Sequence, residues 1–299
     1  MNIKRLETSR LFHRFGFGPR PGEYAQALKD GVQTTRTRLT TVPAALTTST
    51  PVALPAITDL GKRPKDNTPE IVPFALAMRN QSQQMGLWWL DMMALSDHGL
   101  TERMTWFWHG HWATSIQKLN YALPMYKQNQ IFRTHALGNF NAMTKAMLND
   151  GALQFWLDGQ DNTAKAPNEN LGRELMELFV LGVNRYSEDD VKAISRVLTG
   201  YQVEKSSGVV TINQNRRDAN PVTLLGKTAS FTGDSLTDFL VARDDCATFI
   251  SERLWYRFIS STETMPTSFS AKKGFATRDL AATIQAMAAD PSMSDEKYA

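Results

Sequence analysis

Two short runs concentrate the residue types that carry acid–base or metal chemistry. The first is Trp106-Phe107-Trp108-His109-Gly110-His111-Trp112. Imidazole is a common metal ligand and titrates near neutrality. Two imidazoles spaced two residues apart face one side of an extended segment but point about 200° apart on a helix. His109 and His111 therefore share one ion only where a helix breaks near Gly110, a poor helix former. Aromatic neighbours would dry such a site and strengthen charge interactions within it. The competing reading is a helix whose aromatics fill the core while the histidines bond to backbone.

The second run is Asn168-Glu169-Asn170-Leu171-Gly172-Arg173-Glu174-Leu175-Met176-Glu177-Leu178. On a helix, Glu169, Arg173 and Glu177 form one stripe, Asn170 and Glu174 lie beside it, and the leucines occupy the other face. One reading is a metal-dependent, hydrolase-like enzyme. His109 and His111, joined by His135 from the polar flank of a later helix, would be ligands to a divalent metal such as Zn²⁺. Glu169 or Glu174 would then be the general base on metal-bound water, whose pKa zinc can lower to about 7. Arg173 would orient that carboxylate or hold an anionic group bidentately. The alternative is a non-catalytic scaffold or partner-binding protein whose histidines, amides and carboxylates form a buried polar network that fixes helix packing. Asp158, Asp161 and Asn162, in the polar loop ahead of the second run, suit a metal or a turn.

Composition narrows the classes. The 299 residues carry a formal charge of only +3 with the basic residues dispersed, which argues against nucleic-acid binding. No apolar stretch approaches the roughly 18 residues of a membrane span. Residues 1–20 hold no uninterrupted signal-peptide core, which favours the cytoplasm. The single Cys246 excludes an internal disulfide and a cysteine-rich metal cluster. The seven tryptophans fall in helical apolar patterns, as core residues do.

The elements that must position these runs read as mainly α, an irregular orthogonal bundle of helices forming one domain over 1–299. Gly16 to Gly22 is a turn-rich lead-in to a helix. Residues 41–73, rich in proline and threonine, form an irregular surface excursion that cannot hold a long helix. A helix marked by Leu87, Leu90 and Ala94 follows, and Thr101 caps the next. Ile131 to Met147 reads as one long amphipathic helix. Asn168 caps a helix closed by Gly182, and Ser187 with Asp190 resembles a capping box. At most one short hairpin is expected near 207–232, with Val209, Val210 and Ile212 pairing with Leu224-Leu225-Gly226. Helices resume at 234–243, 245–259 and 277–289.

Several of these motifs occur together in a known family. Glu102 to Ser115, Met125 to Gln130, His135 to Phe140, Pro167 to Asn170 and Arg173 to Phe179 resemble the signatures of the bacterial domain of unknown function 1800 family, as do Phe15 to Gly18 and Leu198 to Tyr201. The resemblance covers nearly the whole chain and implies a largely helical bacterial protein, often exported and often encoded beside a phosphatase- or sulfatase-like partner. It implies no reaction. Similar chains usually carry a His-Asp pair where Arg217-Asp218 stands here and commonly run on beyond the region of Tyr298-Ala299, so a shortened member lacking a final helical segment is one expectation from the resemblance.

Overall fold

The computed structural model describes residues 3–42, 52, 53, 55–97 and 99–298. Among them run fifteen α-helices and two small antiparallel sheets, so the architecture is mainly α as the sequence predicts. The helices are α1 (Ile3–Arg14), α2 (Glu23–Asp30), α3 (Val32–Thr40), α4 (Ile71–Leu95), α5 (Gly99–His111), α6 (Ile116–Leu119), α7 (Ala122–His135) and α8 (Phe140–Leu148). Then follow α9 (Gly151–Trp156), α10 (Asn170–Glu174), α11 (Glu188–Val197), α12 (Gly233–Val241), α13 (Asp244–Phe258), α14 (Ser270–Gly274) and α15 (Leu280–Ala289). One buried apolar cluster extends from Leu11 on α1 through α5, α7, α8, α11, α12 and α13 to Met293.

Several local expectations change. Residues 43–51 of the proline-rich excursion lie outside the described residues, the stretch from 55 to 70 is irregular, and α4 already starts at Ile71 with Pro73 in its first turn. Leu87 and Leu90 do not form the core face of α4. They are 64% and 61% exposed, whereas Gln81, Met85, Trp88 and Met92 are buried. Both faces of this helix are apolar, so periodicity alone does not choose between them. Thr101 is no cap either, because α5 begins at Gly99 and leaves the threonine buried in its first turn. The single helix expected from Ile131 to Met147 is two helices. The chain turns at residues 136–139, and the Asn139 side chain caps α8 by accepting from the backbone N–H groups of Asn141 and Ala142.

Two hairpins stand where one is expected, with different partners. Tyr201–Glu204 (β1) pairs with Val209–Ile212 (β2), and Val222–Leu224 (β3) pairs with Lys227–Ala229 (β4). Leu225 and Gly226 between β3 and β4 have φ of 48° and 81°, the left-handed pair that matches a two-residue hairpin turn to strand twist. The capping box of α11 forms as predicted. Its Asp190 also accepts from the Leu225 N–H at 2.6 Å, tying the second hairpin to that helix.

Candidate functional site

The Trp-rich run is the last two turns of α5, and the helix does not break at Gly110. Trp112 N–H donates to Trp108 at 2.9 Å and Ala113 N–H to His109 at 3.1 Å, so the ladder continues past the glycine. The two imidazoles consequently leave the helix in different directions. His109 packs edge-on against Trp89, ring centroids 4.9 Å apart, with Phe132 at 6.2 Å. Burial lowers its pKa. His111 is fully enclosed, with Trp108, Trp112, Phe179 and Phe249 around its ring. Burial pushes its pKa down to about 3, leaving it neutral. Its Nε2 donates to the Phe179 carbonyl at 2.9 Å, and Nδ1 has no partner. His135 sits half-buried at the last residue of α7, its pKa also lowered by burial. Among the described residues no three His, Cys, Asp or Glu side chains are placed to hold a metal ion, so His109, His111 and His135 are not gathered into one such group.

The acidic-amide run does pack against the Trp-rich run, through its second half. Leu175–Val180 is a π-helical turn continuing α10, and Phe179 within it supplies both the carbonyl for His111 and a ring 4.6 Å from that of Trp112. Such turns widen the ladder by one residue and recur at functional sites. Gly182, at φ 92°, ends the segment, and its N–H donates back to Met176 at 3.0 Å.

The polar residues of the run have mostly structural partners. The Asn168 side chain accepts from the Asn170 N–H at 2.9 Å. The Asn168 N–H in turn donates to buried Asn162, whose amide donates to the Ser195 carbonyl on α11 at 2.7 Å. Arg173 is clamped bidentately by Glu188 at 2.9 and 2.8 Å and also reaches Glu169 at 3.2 Å, in a solvent-accessible cluster. Glu177 accepts from the Tyr186 hydroxyl. Among the described residues Glu174 has no hydrogen-bond partner, and burial, then the neighbouring Glu177 charge, raises its pKa. Asp218, in the Arg217-Asp218 pair, is bound to Arg196 at 2.7 Å.

Three features escape the sequence reading. Glu102 on α5, 1% exposed, forms a two-pronged ion pair with Arg133 on α7 at 2.6 and 2.8 Å. Gln128 on α7 accepts from Thr114 and donates at 2.6 Å to Asp150, which is buried and caps α9. The third is a cavity of about 300 Å³ between the last turns of α5 and α13, bordered by Trp106, His109, His111, Arg253, Tyr256 and Arg257. The sequence signal available for the first was the polar Glu102 on an otherwise apolar helix face. For the cavity there was none, because its arginines lie more than a hundred residues from Trp106.

A mainly helical protein with buried polar cross-links between helices and a cationic, aromatic cavity is the class that fold and site define. The chain belongs to the family described as protein of unknown function (DUF1800), whose model matches residues 10–299. No curated protein and no solved structure is found to match it.

Proposed function

We propose that this chain is a non-catalytic scaffold or partner-binding protein in which the polar residues of the family-like motifs hold helices in register. One observation carries the reading. Polar side chains of the motifs are spent on buried framework bonds: Glu102 on Arg133, Gln128 on Asp150, and His111 on the Phe179 carbonyl. Buried polar groups bonded in this way stabilise one packing arrangement, because any other leaves donors or acceptors unpaired. A phosphatase- or sulfatase-like protein, the partner that the family resemblance implies, is the one this reading pairs with the chain.

The competing reading keeps His109, His111 and His135 as metal ligands and Glu169 or Glu174 as base. It predicts close to one divalent metal per chain in purified protein, and hydrolytic turnover that vanishes in Glu174→Ala. Elemental analysis of protein purified without chelator, joined to a hydrolase screen, separates the two. The scaffold reading expects metal well below stoichiometry and a Glu174→Ala variant that melts as the parent does. Stoichiometric metal lost in His109→Ala, together with turnover, sinks it.

A further inference from the structure

A guanidinium carries five N–H donors and no acceptor, so it is normally met by carboxylates or carbonyls. Three arginines around Trp106 depart from that rule. The guanidinium carbons of Arg257 and Arg103 lie 3.8 and 5.0 Å from the Trp106 ring centroid, and that of Arg253 lies 5.5 Å from the Phe249 ring. Among the described residues none of the three has a carboxylate or a hydrogen-bond acceptor, and the Arg103 Nε is buried without a partner. The arginines of a larger cavity of about 570 Å³, near the glycine-rich lead-in, behave differently. There Arg20 meets Asp97 at 2.6 Å and Arg38 meets Glu23 at 2.7 Å, so their charge is already neutralised.

Arg253 and Arg257 are exposed, so water meets their donors, while partly buried Arg103 lies close enough to Arg257 that burial and then the Arg257 charge lower its pKa to about 10. Arg253 and Arg257 both border the 300 Å³ cavity, as do Trp106 and Tyr256. The volume is at the lower end of small-molecule sites. An oxyanion supplies the counter-charge, because two of its oxygens match the guanidinium fork of each arginine.

We propose that the cavity between the last turn of α5 and α13 binds a small oxyanion, a carboxylate or a phosphate, clamped by Arg253 and Arg257 beside Trp106. The site stands on its own geometry and holds whether the chain is a scaffold or an enzyme.

The test is thermal unfolding of the full chain at fixed ionic strength, with sodium chloride replaced stepwise by inorganic phosphate in one series and by succinate in another. Anions that bind only the folded state raise the melting temperature as the logarithm of one plus the ratio of anion concentration to Kd. The expected result is a rise of that form with at least one of the two, which also identifies the headgroup. The Kd fitted from it should increase at least tenfold in Arg253→Gln/Arg257→Gln and stay unchanged in Lys192→Gln on α11. A second readout covers a double variant that folds poorly. In chloride alone, the single Arg257→Gln should melt at or above the parent temperature, because it removes a repelling charge rather than a structural bond. No rise beyond the chloride baseline, an undiminished rise in the double variant, or a clear drop in melting temperature for Arg257→Gln in chloride overturns the proposal.

Discussion

Arg133 lies 5.0 Å over the Trp88 ring, and Arg257 lies 3.8 Å over the Trp106 ring. Both guanidiniums rest on tryptophans of the same α4–α5 neighbourhood, yet their surroundings differ. Arg133 is 12% exposed and is matched by both oxygens of Glu102 and by the side chains of Asn129 and Gln130. Among the described residues Arg257 and its neighbours Arg103 and Arg253 have aromatic contacts but no carboxylate partner, and Arg253 and Arg257 are exposed. The same residue type on the same kind of ring thus serves packing where its donors are met and offers a binding site where they are not. Satisfaction of donors, rather than the stacking, separates framework from function here.

The widest separation between the two regions should come from the framework. Arg133→Met strands the Glu102 charge in the core and should cost about 3–5 kcal/mol in urea unfolding. Replacing both, in Glu102→Leu/Arg133→Met, should recover most of that loss. A double variant as damaged as the single one would mean that the pair does more than hold α5 to α7.

Next in size is the buried acid at the start of α9. Burial pushes the Asp150 carboxyl up to about 7, while an unfolded aspartate titrates near 3.8. The folded state therefore holds the proton more tightly. This contribution to stability is complete below about pH 4 and is lost as the pH rises through 7, with a limiting slope of about 1.4 kcal/mol per pH unit. Asp150→Asn should flatten that part of the stability–pH curve, and an unaltered slope would move the responsible group elsewhere.

A smaller loss, about 2 kcal/mol, is expected from Asn162→Ala, which leaves the Ser195 carbonyl and the Asn168 N–H unpaired. Differential scanning calorimetry reads it directly. Least affected should be Arg173→Met, whose ion pairs with Glu169 and Glu188 are open to solvent. Its melting temperature should move by no more than about a degree. A large drop there would put the acidic-amide run among the buried framework and erase the contrast with Arg133.

Much of the framework is legible in the residues themselves. The Ser187–Asp190 capping box and the stop at Gly182 are local devices, each read from residue type and spacing within a few positions. Asn168, expected as the cap of the helix at 170, instead gives that position to Glu169 and accepts from the Asn170 N–H. The core face of α4 was not legible, because Leu87 and Leu90 look as apolar as Trp88 and Met92 until a neighbouring helix chooses one side. The break at residues 136–139 was missed for a related reason. Apolar spacing runs through it, and the Asn139 cap that interrupts it outweighs the pattern. The placement of the candidate site residues was the least legible: a helix that continues through Gly110 points the His109 and His111 imidazoles apart, and Glu188 takes up Arg173.

Residue order alone determines the helical class, the Ser187–Asp190 capping box and the family to which the chain belongs, since these depend on neighbours within a turn or two or on motif order. Which charges meet is decided only when α5 lands on α7 and α13. Electrostatic energy depends on distance, and no spacing along the chain encodes that Glu102 reaches Arg133 while, among the described residues, Arg103, Arg253 and Arg257 reach no carboxylate.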